Sequence, residues 1–128
     1  MKGIGAIAFV LLLLRPAAAH ELRPAYLELC EDKPGEFSVL FKTPMRGDVR
    51  LALAPEFSAR TDRLTPIVTR ETGGAAVQTW RLKATEPLRG QELRIAGLEG
   101  TMTDALVRLQ FADGSAWSNG SRPRFRRR

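Results

Sequence analysis

His20 and Cys30 are the only imidazole and the only thiol in this chain, and each could do chemistry that no other residue here can. Ala17-Ala18-Ala19 precedes His20, and cleavage after Ala19 would leave an α-amino group and an imidazole on one residue. Together those groups chelate a borderline-soft divalent ion such as copper or nickel. With no second histidine, Glu21 or another acid folded close to it would have to complete the metal shell. The other reading of His20 is a solvated residue that simply follows a cleavage site, and the residue types leave both open. Cys30 is a nucleophile only with a low pKa and an open approach; otherwise an isolated cysteine at a strand end packs as a small hydrophobe. One cysteine and one histidine exclude a disulfide framework, a zinc finger and a Cys/His pair inside the fold.

The acids Glu28, Asp48 and Asp104 have no histidine in the body of the domain to share proton transfer, and no nucleophile motif surrounds the serines, threonines or lysines. Asp104 is expected to cap the turn Thr101-Met102-Thr103 through a local backbone hydrogen bond. No catalytic residue is assigned, and the chain is read as non-enzymatic. The formal charge of +6 suggests nucleic acid until it is divided along the chain. Residues 20–121 carry 13 basic and 14 acidic side chains, whereas Arg122, Arg124, Arg126, Arg127 and Arg128 crowd the last seven positions. Contact with an anionic membrane surface is therefore expected at that tail alone, with no nucleic-acid partner.

Behind these groups lie the elements that must place them. Residues 1–19, with Lys2, an apolar run over residues 4–14 and Arg15-Pro16 before the alanines, read as a helical secretory signal peptide. That run is well short of the roughly 20 residues a spanning helix needs. The mature chain is expected to be exported, to the periplasm or the extracellular space.

Residues 20–117 are expected to form one domain, and residues 118–128 a disordered basic tail. From Tyr26 onward the apolar period is near two, with turn residues about every ten positions. Leu27 and Leu29, then Phe37, Val39 and Phe41, flank Asp32-Lys33-Pro34-Gly35 as a hairpin. Pro44 to Asp48 should break the pattern; Val49, Leu51 and Leu53 should form a third strand ended by Pro55. Further strands are expected over residues 67–71, 76–83, 92–96 and 105–111, with a surface crossover over residues 56–66. Trp80, Leu82, Ile95, Val107, Leu109 and Phe111 complete the expected core. About seven short strands in 100 residues predict an all-β, immunoglobulin-like antiparallel β-sandwich.

Three stretches carry a resemblance. They are His20-Glu21-Leu22-Arg23-Pro24-Ala25-Tyr26-Leu27-Glu28-Leu29, then Val39-Leu40-Phe41-Lys42-Thr43-Pro44 with Arg46-Gly47-Asp48-Val49-Arg50-Leu51-Ala52-Leu53, and Gly97-Leu98-Glu99-Gly100-Thr101-Met102-Thr103-Asp104-Ala105-Leu106-Val107-Arg108. Together they resemble the exported N-terminal region of the long HupE/UreJ-type membrane proteins. The resemblance implies a β-rich extracytoplasmic domain that precedes a polytopic domain similar to nickel or cobalt permeases. It also implies an integral-membrane partner, for which this chain would be an accessory or binding module. No position here corresponds to ligands set in the membrane helices, and the family pattern leads to no expectation of a cysteine at position 30. The chain is either a free-standing copy of that domain or a reading frame cut short.

Overall fold

The computed structural model describes residues 23–101 and 103–119. Residues 1–22, with the expected signal peptide, His20 and Glu21, and the arginines from position 122 onward lie outside the described residues. Ten strands in two sheets build an all-β domain.

Strict alternation makes the centre of the larger sheet. In β1 (Ala25–Lys33), Ala25, Leu27 and Leu29 are fully buried; in β2 (Glu36–Arg46), Phe37, Val39, Phe41 and Thr43 are buried. The two strands pair antiparallel, Leu27 opposite Phe41 and Leu29 opposite Val39. Their turn is made by Pro34-Gly35, with Gly35 at φ 79, a conformation that glycine adopts without steric cost. The fully buried side chains, Phe37, Phe41, Leu27 and Leu29, are each worth about 1.5–3 kcal/mol of burial.

Seven shorter or flanking strands join these two in chain order: β3 (Val49–Arg50), β4 (Ala54–Phe57), β5 (Thr61–Arg63), β6 (Val68–Thr72), β7 (Ala75–Ala84), β8 (Leu93–Ala96) and β9 (Ala105–Gln110). A last strand, β10 (Ala116–Ser118), closes the sheet's edge beside β9. The large sheet runs β10-β9-β1-β2-β7-β5, with β6 also on β7 and β3 on β2. Its inner face carries continuous rows, one of them Trp80, Val39, Leu29, Leu109 and Trp117 across five strands. The β4–β8 pair supplies the cover, bringing Ile95 and neighbouring Leu53 into the same core as Leu27, Phe41 and Leu109. Gly97 follows β8 at φ 87, where an added Cβ would meet the Ala52 carbonyl oxygen. At the end of the inner face Thr43 is 0% exposed, and its hydroxyl has no hydrogen-bond partner among the described residues.

Several expectations are corrected. The sandwich is not wholly antiparallel, since β1 and β9 pair in parallel, Leu27 opposite Val107. The strands number ten because β4, β5 and β10, of four residues or fewer, are too short for alternation to reveal. Pro44 does not end β2. It lies opposite Ala75, past the last β1–β2 pair at Lys42, where β1 no longer needs a donor from it. Pro55 likewise lies inside β4, in a two-stranded pair whose outer edge is open. Val49 is not core: the β2–β3 hairpin runs past its neighbours and leaves it 68% exposed. The crossover over residues 56–66 contains the end of β4 and all of β5. After β10, Asn119 donates from its backbone to the Val107 carbonyl and from Nδ2 to the Ala105 carbonyl.

Candidate functional site

The second face of the large sheet bears the residues that alternate with the core, and the strand register sets them in rows. One row reads Val68, Thr79, Leu40, Glu28, Arg108 and Ser118; the next reads Arg81, Ser38, Cys30, Gln110 and Ala116. Between them lies a cleft of about 520 Å³, floored by Glu28, Cys30, Ser38, Leu40, Thr79 and Arg81.

One wall of this cleft comes from an interruption in the sheet edge. Arg63 is opposite Leu82 and Val68 is opposite Thr79, so residues 64–67 face only Trp80 and Arg81. Four residues against two must bulge outward. The bulge is tied down by Arg81, whose backbone N–H donates to Thr65 Oγ1 at 2.9 Å and whose carbonyl accepts from Leu64 N–H at 2.8 Å. Pro66 and Val68 thereby form the apolar rim. Leu64, Ile67 and Val68 are 45%, 40% and 50% exposed, so three of the five large apolar side chains exposed among the described residues belong to this segment.

The polar floor is tied together. The Arg81 guanidinium lies 3.3 Å from Glu36 and 3.5 Å from Asp32, and the Ser38 hydroxyl donates to Asp32. Arg81 Nε is buried and has no hydrogen-bond partner among the described residues. Tyr26 Oη donates to Glu28 at 2.6 Å, which with burial and the carboxylate's charge raises the phenol above its ordinary pKa. The Cys30 thiol donates to Glu28 at 3.9 Å. Burial first, then the charges of Glu28 and Asp32, push that thiol upward, and Arg108 opposes them with a smaller effect. A thiol held protonated is a poor nucleophile. The arrangement is suited to holding a partner by shape and hydrogen bonds, with an apolar rim and fixed polar groups.

Of the residues the sequence singled out, Cys30 and Glu28 come together in this cleft. Asp48 sits apart, exposed in the β2–β3 turn. Asp104 precedes β9 and its carbonyl accepts a backbone hydrogen bond from Ala25; in the turn before it, Thr101 Oγ1 donates to the Leu98 carbonyl and accepts from Thr103 N–H. His20, Glu21 and the tail arginines lie outside the described residues. Arg81, Ser38, Leu40 and the Thr65–Val68 wall escaped the sequence reading. Their signal was only that they fall between core positions, and their convergence depends on a register that composition does not show.

Among the described residues, no group of three His, Cys, Asp or Glu side chains is placed to hold a metal ion. No helix there is long and apolar enough to cross a membrane. No family model, curated protein or solved structure matches the chain.

Proposed function

We propose that this chain is an exported, non-enzymatic binding domain of the HupE/UreJ extracytoplasmic type, an accessory module whose open sheet face receives a segment of an integral-membrane partner. The observation that carries this reading is the cleft over Arg81. It combines an apolar rim with a floor whose polar groups are already engaged with neighbours, which is a binding surface without a poised acid, base or nucleophile. Within this reading the domain is an immunoglobulin-like sandwich in which one sheet has grown large and the other is reduced to the β4–β8 pair.

Site-specific photo-cross-linking in the native envelope tests it. A photoreactive side chain at Leu40 or Val68 should give an adduct with one integral-membrane protein, identified by mass spectrometry. The same group at exposed Arg94 on β8, remote from the cleft wall, should not. Adducts of equal yield from Arg94, or none from the cleft, would overturn the proposal.

A further inference from the structure

The open face of the large sheet divides its charges unevenly, and the division bears on what the cleft receives. One row across five strands reads Arg70, Val77, Lys42, Tyr26 and Leu106, and it contains no acid. The next row towards the β2–β3 hairpin, Thr72, Ala75 and Pro44, contains none either. Arg70 and Lys42 are both exposed, and neither makes an ion pair or a side-chain hydrogen bond among the described residues. Strands two apart in a sheet are separated by about 10 Å, so Val77 sits midway between two unengaged cations.

The acids of this face lie elsewhere and are already held. Glu28 accepts from Tyr26 and Cys30 and lies across from Arg108. Asp32 accepts from Ser38 and lies beside Arg81, which also holds Glu36. Lys83 falls between Glu36 and Asp62 in the register of β2, β7 and β5. Glu71 follows Arg70 in β6 and so alternates to the other face. The charge this face offers a partner is therefore cationic and confined to the Val77 row. The row beside it, Val68, Thr79 and Leu40, sets apolar side chains about an exposed threonine and opens into the cleft.

We infer that the segment this face binds is an extended peptide with an acidic side chain over Val77, clasped by Lys42 and Arg70, and an apolar side chain two residues away, seated in the mouth of the cleft against Leu40 and Val68. Spacing sets the pattern. Successive rows on one face are about 7 Å apart, the same repeat as alternate residues of an extended chain, so groups at i and i+2 meet both rows at once. A long polyanion fits worse, because beyond the Val77 row it meets Glu28, Asp32 and Glu36. The inference rests on the reading of the cleft as a binding surface and adds the chemistry of its occupant. Cross-linking at Leu40 that succeeds while the peptides below fail would leave the binding surface standing and remove only the acidic occupant.

The test titrates capped threonine peptides, carrying one glutamate and a leucine two positions on, into the isotope-labelled chain from His20 to Arg128. Amide shifts should move in residues 40–43, 68–71 and 76–80. K42Q/R70Q should weaken binding about tenfold, each exposed ion pair counting for about threefold, and should abolish the preference for glutamate over glutamine in the peptide. R60Q/R94Q, the same charge change at exposed positions off this face, should stay within about twofold of the parent. V68T should weaken the leucine peptide and leave a peptide with threonine in its place unaffected. The inference is overturned if the shifts fall on residues 120–128 alone, if K42Q/R70Q binds like the parent, or if a lysine peptide binds as well as the glutamate one. Vesicles of phosphatidylcholine with one part in three phosphatidylglycerol that move the same amides as strongly would likewise overturn it.

Discussion

Replacing Gly97 with alanine isolates how the small sheet is fastened over the core. Gly97 and Gly114 share nearly the same backbone angle, φ 87 and φ 85, so alanine at either costs about 1–2 kcal/mol for the left-handed conformation. Their surroundings differ. Nothing lies within 4 Å of a Cβ built at Gly114, whereas one at Gly97 falls inside the 3.0 Å limit against the Ala52 carbonyl oxygen and close to Leu53. Ala52 is backbone and cannot rotate away, so the segment leading into β4 must move off the core, an overpacking cost of about 1–3 kcal/mol. G97A should therefore lose about 2–5 kcal/mol in urea unfolding and G114A about 1–2, with unchanged m values. Equal losses in the two variants would refute the argument that Gly97 is required by close approach and not by its angle alone.

Four further outcomes are expected. T43V, which removes a fully buried hydroxyl without a partner among the described residues, should raise stability by about 1 kcal/mol in the same assay; destabilisation would mean the hydroxyl is bonded. Cys30 should react with iodoacetamide more slowly than a free thiol at mildly alkaline pH, and E28Q should speed it by removing a charge that raises its pKa; fast alkylation of the parent at neutral pH would contradict the protonated-thiol picture. Asp113 is held below the ordinary carboxylate range, first by the Ser115 hydroxyl and backbone N–H and then by Arg89. A folded-state pKa below the unfolded one adds stability above the unfolded value and loses it as pH falls towards the folded value, so D113N should be less stable than the parent at neutral pH and match it in acid. Finally, a chain starting at His20 and one retaining Ala19 should bind copper equally if His20 is merely solvated; tighter binding by the shorter form, measured by calorimetry, would establish the amino-terminal chelate.

The β1–β2 hairpin and β9 were legible because both alternate cleanly, and the hairpin turn carries Pro34 and Gly35. Val49 misled because alternation continues through Val49, Leu51 and Leu53, while Leu53 is buried in the core, Leu51 packs against it partly buried, and Val49 stays outside. Pro44 and Pro55 misled because their cost depends on whether a neighbouring strand needs the missing donor, and that is a property of sheet edges, not of local sequence. The cleft was hidden for a different reason. Glu28 and Cys30 could be noted in the chain, but Arg81 lies some fifty residues later, and only the registers of β1 on β2 and β2 on β7 make them neighbours.

The parallel pairing of β1 with β9 also bears on the order of events when this chain folds. Ala25 finds its partner at Ala105, 80 residues later. β1, β2, β6 and β7 can assemble as soon as they are available, because their contacts are set by hairpins and one longer return. The other edge of β1 must wait for almost the whole domain, and such distant pairings slow folding. Until residues 105–110 arrive, a strand with one wholly apolar face, in the middle of the final sheet, presents unpaired N–H and C=O groups, a template for any other strand nearby. A chain that crosses a membrane unfolded and N-terminus first would expose that edge throughout its passage, so its yield would be governed by how long β1 stays open and by what shields it meanwhile.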